Sequence, residues 1–218
     1  VQPLQQCTPL RYLKKEGCYD HDQYSTEYID IDHEVMSEYY DLCETYTGKN
    51  WRSTKKKLKK LIEKDPDFLD SYTFLHEILF RENKVEEAKK VLNEAYERAL
   101  KLITDENGNW PDVLEWVCLE NRHIIRAILN KAVLSWGSDD IKYALHLFRQ
   151  LLKTNPIDNV GARHYILAIR MGMSFHQFEA RFNKGGVYDM ELTNWVDENY
   201  PEYPDEFDWW EKAVEEYE

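Results

Sequence analysis

The chain has 218 residues and a formal net charge of −13, with 43% hydrophobic and 32% charged residues, the balance of an ordinary folded, water-facing protein. Eight glycines and seven prolines are too few for a loop-rich β protein, so composition alone favours helices. No apolar run approaches the length of a bilayer span, and residues 1–30 lack the basic start and apolar block of a leader, so no membrane partner is expected and cytoplasm is the default compartment.

Residues 1–32 are polar and aromatic without a helical period, and are read as an arm lying on the body; the start at Val1 fits an excised piece or a processed chain equally well. His21, Asp30, Asp32, His33 and Glu34 could be drawn as a metal site. Their spacing places no ligand pair on one helical face, so neither metal nor cofactor is expected. Cys7, Cys18, Cys43 and Cys118 form no CxxC pair, which leaves core residues or inert thiols.

From His33 onward the period is helical. Tyr39, Leu42, Cys43 and Tyr46 are followed by Thr54, Leu58 and Leu61 on the run Trp51 to Lys64, which carries seven bases and one acid. That run is read as a solvated helix face rather than an anion patch, given the net charge. Asp65-Pro66 ends it, because the residue before proline is pushed out of the helical region. Leu69, Tyr72, Leu75, Ile78 and Leu79 then make one apolar stripe, Arg81 to Lys84 a polar turn, and Val85, Ala88, Val91, Leu92, Ala95, Tyr96, Ala99 and Leu100 a second stripe reaching Ile103. So short a turn predicts an antiparallel hairpin.

After the loop Thr104 to Asn109, a long helix is expected from near Pro111 to about Ser135. Leu129, Ala132, Val133 and Trp136, then Ala144, Phe148 and Leu151 before Asn155-Pro156, repeat the earlier pattern with a turn one residue shorter than standard. The first unit shares that shortening. A degenerate unit follows, with Ala162, Tyr165, Ile166 and Ile169, a turn at Met171-Gly172-Met173, Ser174 as N-cap, and Phe175, Phe178 and Phe182. Gly185-Gly186 is a lone turn signal.

From Asp189 to Glu218 twelve acids stand against Lys212 alone, giving −11, so the rest of the chain carries only −2. An acidic field of this kind repels nucleic acid, and no nucleic-acid partner is expected. Met190 to Tyr200 and Asp205 to Tyr217 are predicted as short helices separated by Pro201 and Pro204. Their aromatic density argues for docking on the body, with Trp195, Trp209 or Trp210 in apolar contact and carboxylates facing basic residues.

The recurrent pattern at Tyr72, Leu75, His76, Leu79, Ala88, Leu92, Ala95 and in the units on either side resembles the tetratricopeptide repeat, with His76 the bulky exception at a small-residue position. The stretch Leu114 to Gly172 is similar to a group of uncharacterised bacterial tetratricopeptide proteins. The resemblance implies an all-α fold, a right-handed α-α superhelix of about three and a half stacked hairpins over residues 33–183. The arm at 1–32 precedes it, and an acidic aromatic cap at 184–218 packs on the repeats.

It also implies a protein- or peptide-binding scaffold whose first helices line a concave groove. Carried over residue by residue, the groove positions are Tyr40, Glu44, Thr73, Glu77, Phe80, Asn130, Leu134, Arg163, Leu167 and Arg170, with Arg122 and Arg126 adding to a basic strip. The Lys/Asn set with which chaperone-binding members hold a C-terminal carboxylate is absent. No phosphate loop, GxSxG elbow or HExxH helix occurs, so no catalytic residue is assigned. A second reading keeps the same helices but makes them an enzyme or small-ligand protein with the groove closed by arm and tail.

Overall fold

The computed structural model describes residues 34–184 and 190–216. The arm, Cys7, Cys18, His21, Asp30, Asp32, His33, the Gly185-Gly186 turn and the side chain of Glu34 lie outside the described residues. Among the described residues the fold is all helical, with no β-strand.

Ten α-helices follow in order: α1 (Glu34–Glu44), α2 (Trp51–Lys64), α3 (Asp70–Arg81), α4 (Val85–Ile103), α5 (Arg122–Gly137), α6 (Ile141–Thr154), α7 (Ala162–Arg170), α8 (Phe175–Phe182), α9 (Met190–Asn199) and α10 (Pro204–Glu215). Helices α1–α2, α3–α4 and α5–α6 pack as hairpins, and a first helix also meets the second helix before it, α2 against α3, α4 against α5 and α6 against α7. First helices touch one another as well. Tyr46 and Tyr39 of the α1 region meet Phe74 of α3 edge to face at 4.9 and 6.3 Å, α3 packs on α5, and Trp136 of α5 meets Tyr165 of α7 at 6.1 Å.

Three of the hairpin turns share one local chemistry. Asn83, Asp139 and Gly172 adopt left-handed backbone at φ of 60°, 66° and 75°. The next N–H donates five residues back, Lys84 to the Leu79 carbonyl, Asp140 to Ser135 and Met173 to Ala168, each at 2.9 Å, which satisfies carbonyls the helix end leaves unpaired. Asparagine, aspartate and glycine are the residues that tolerate this conformation. The shared geometry corrects the repeat alignment. The α3–α4 and α5–α6 turns are equal in length, so α5 sits one residue out of the register read from sequence: Ile128 and Ala132, both fully buried, take the places of Tyr72 and His76. Trp136 is thereby freed to pack on Phe175 and Phe178 in the next hairpin, at 5.6 and 5.5 Å. Between α1 and α2 the connection is likewise not a shortened turn but the loop Thr45 to Asn50, held by Asn50, whose side chain accepts from the Thr47 N–H and donates to the Thr45 carbonyl.

The expected long helix from Pro111 is a second correction. Residues 104–121 form a loop closed by a single 3-10 turn at Leu119–Asn121, and α5 begins only at Arg122. Leu114 is fully buried and its N–H donates to the Thr154 carbonyl at 2.9 Å, while Val117 and Leu119 point to solvent. One anchored apolar residue flanked by exposed ones imitates a helical period without being one.

Two apolar clusters hold the stack. The smaller joins Val35, Leu42, Leu58, Leu61, Phe68, Phe74, Leu75, Ile78, Leu79 and Ala88; the larger runs from Leu69 through α4 to α8 and on into Leu192, Trp195, Val196 and Phe207. The C-terminal helices therefore share the main core. His76, the bulky exception, spends its ring on the fold: Nδ1 lies 3.0 Å from the Ala88 carbonyl, which can only accept, so Nδ1 carries the proton. Ala88 and Ala95 have no exposed surface. Replacing either with Leu should overpack the α3–α4 crossing and cost about 1–3 kcal/mol, read as a lowered urea midpoint.

Candidate functional site

The face shared by α1, α3 and α5 centres on an ion pair. Asp70, at the first position of α3 and 1% exposed, accepts from the Arg126 guanidinium at both oxygens, with Nε at 2.8 Å. Burial opposes the Arg126 charge, but the Asp70 bonds and a further bond to the Tyr40 hydroxyl outweigh it, and its pKa is raised. Arg126 and Arg122 both lie over the Trp116 ring, at 5.5 and 5.0 Å, and Arg122 Nε donates to the Trp116 carbonyl at 2.9 Å. Residues from three helices and a loop are thus tied together. On the adjacent turn of α1, burial pushes the Cys43 thiol up and raises the Tyr39 hydroxyl that bonds it.

Around this centre the groove positions divide. Tyr40 and Phe80 are 40% and 54% exposed, Glu44 is exposed, and Asn130 and Leu134 are half-buried on α5. Asn130 donates to the Arg126 carbonyl at 2.9 Å. Glu77 is open to solvent and 3.8 Å from Arg81, yet the protein mass around it desolvates the carboxyl and raises its pKa. Thr73 and Leu167, expected in the groove, are buried instead. Thr73 turns its hydroxyl onto the Asp70 carbonyl at 3.0 Å, and Leu167 belongs to the main core.

Arg163 and Arg170 lie on α7 beneath the C-terminal helices. Glu206 of α10, 5% exposed, accepts from Arg149 of α6, with Nε at 2.6 Å, and from Arg170 at 2.7 Å; Asp205 takes the other Arg170 nitrogen at 2.8 Å. Donating to these carboxylates raises the pKa of both arginines. Arg163 lies 5.1 Å from the Trp210 ring and bonds Asp158, and the Trp210 indole N–H donates to the Pro156 carbonyl at 2.7 Å. Asp158 also accepts from the Ala162 and Arg163 backbone N–H groups at the start of α7, while its burial pushes the carboxyl up to about 6. The arginines read as a basic strip are thus each bonded within the chain. Trp195 is buried against Phe182, ring centres 4.9 Å apart, whereas Trp209 stays 39% exposed.

On α2 the lysines are mostly exposed, with Lys55 bonded to Glu82 at 2.5 Å and Lys64 to Glu38 at 2.6 Å. Among the described residues no three His, Cys, Asp or Glu side chains converge as a metal site, and no helix is long and apolar enough to cross a membrane. The Asp70–Arg126 pair escaped sequence reasoning, and of the Glu206–Arg149 pair only the kind was expected, a tail carboxylate facing a basic residue of the body. Their partners stand 56 and 57 residues apart and no local spacing joins them. No family model matches the chain, and no curated protein is similar to it.

Proposed function

We propose that the chain is a protein- or peptide-binding scaffold of tetratricopeptide type, a right-handed superhelix of stacked hairpins, and that its ligand lies along the face of α1, α3 and α5. The carrying observation is that Tyr40, Glu77 and Phe80 stand exposed on the neighbouring first helices α1 and α3, which the buried Asp70–Arg126 pair ties to α5. Exposed aromatics on a rigid, helix-built surface are the usual anchors of a protein ligand. The helix-by-helix packing order also suits a stacked-repeat architecture.

A small-ligand or enzymatic reading draws on the covering of Arg163 and Arg170 by the C-terminal helices, which closes one end of the row of first helices. The better-formed depressions among the described residues nonetheless lie open to solvent, where a small-molecule site is ordinarily enclosed. Open relief favours the scaffold.

The test is affinity capture from the protein's own cells with the wild type and with a Tyr40→Ala/Phe80→Ser variant. Phe80→Ser is at an exposed position and should leave the melting temperature nearly unchanged, whereas Tyr40→Ala also removes a bond to Arg126, so capture is run well below the measured melting temperature of the variant. A partner that binds the wild type reproducibly and is lost from the variant supports the reading. A partner set unaffected by the variant would remove the first-helix face as the binding surface.

A further inference from the structure

Helix α6 carries no acidic residue, and its Lys142, His146, Arg149 and Lys153 are all exposed. Their three-and-four spacing sets them in one stripe, ~16 Å long at a rise of 1.5 Å per residue. Beside it lies an open depression bounded by His146, Arg149, Gln150 and Lys153 on one side and Asp205, Glu206 and Trp209 on the other. Trp209 is 39% exposed, although the other tryptophan of that pair, Trp210, is tucked onto Pro156.

One end of the stripe already displays the chemistry it accepts. There the helix α10 seats Glu206 on Arg149 and Arg170 and Asp205 on Arg170. Among the described residues Lys142 and Lys153 have no ion-pair partner. We propose that this stripe is a docking surface for an acidic helical segment of a partner protein, which extends along Lys142, His146 and Lys153 the carboxylate pairing that Glu206 begins at Arg149 and lays an apolar side chain on Trp209. Charge complementarity of this kind selects acidic partners and speeds their encounter.

Helix α2 is richer in lysine but is the weaker candidate. Glu38 and Asp41 of α1 face Lys57 and Lys60 across the neighbouring depression much as Asp205 and Glu206 face α6, but Lys55 and Lys64 of α2 are already paired with Glu82 and Glu38, and no exposed tryptophan lines that depression as Trp209 does at α6. The α6 stripe lies on a second helix of its hairpin, apart from Tyr40 and Phe80, so the two surfaces succeed or fail independently.

The experiment is fluorescence anisotropy on the full chain with a fluorescein-labelled peptide of Glu-Ala-Ala-Glu repeats and one central Trp, about four helical turns long. Wild-type protein should bind it, and Lys142→Glu/Lys153→Glu should weaken binding about tenfold or more. Lys56→Glu/Lys59→Glu on α2 should change it by less than about twofold, and a Gln-for-Glu peptide should not bind. Matching melting temperatures would establish that both variants are folded. Absent binding, equal losses at the two helices, or tighter binding of a DNA duplex than of the peptide would each overturn the proposal.

Discussion

Ending the chain after Asn183 is expected to leave a protein that aggregates or melts far below the full chain. Leu192, Trp195, Val196 and Phe207 are each 5% exposed or less and lie in one cluster with Phe178 and Phe182. Burial of such a side chain contributes about 1.5–3 kcal/mol, so losing all of them removes roughly 6 kcal/mol or more, a large part of a total stability of about 5–15 kcal/mol. The Glu206 bonds to Arg149 and Arg170 go with them. Trp195→Ala is the gentler form of the same experiment. Its loss of contact with Phe182 and Arg181 should cost about 3–5 kcal/mol in urea denaturation. A truncated chain that stays soluble and melts at the original temperature would mean that α9 and α10 contribute nothing to the fold.

The second large effect is expected at the joint between α3 and α5. Arg126→Met leaves the carboxylate of Asp70 almost wholly buried without its guanidinium partner, a situation that costs about 3–5 kcal/mol. Asp70→Asn with Arg126→Met should lose clearly less than the sum of the two single changes, because the second substitution removes the charge that the first strands. Denaturant midpoints of the four proteins close the cycle. Strict additivity would show that the pair does not act as a unit, and the first-helix face would lose its fixed centre.

How far the sequence could be read depends on how many sides of each helix are covered. The hairpin α3–α4 was legible because Val85 to Ile103 has one buried stripe, and the prolines after Asp65 and Asn155 mark where α2 and α6 stop. The tail helices were legible from their prolines and aromatics. By contrast, every residue from Asp70 to Leu75 is buried, since α2, α4 and α5 all pack against α3, and periodicity fails in a stretch covered on all sides, although the same helix opens to solvent further on at Glu77 and Phe80. For that reason Thr73, and Leu167 between Ile166 and Ala168 on α7, are buried where the repeat pattern predicts groove positions. The one-residue offset of α5 has a physical reason, since Trp136 packs forward into α7 and α8 and does not fill the place that Leu79 holds in α3. Ion pairs such as Asp70–Arg126 depend on which helices become neighbours, and that lies in the packing rather than in any local pattern.

The most direct measurement of the central claim is amide hydrogen exchange of the full chain with and without the partner identified by capture. Slowed exchange confined to α1, α3 and the start of α5, around Tyr40, Glu77, Phe80 and Arg126, is the result expected of a ligand on the first-helix face. Protection that leaves those helices unchanged and appears only elsewhere in the chain would contradict it.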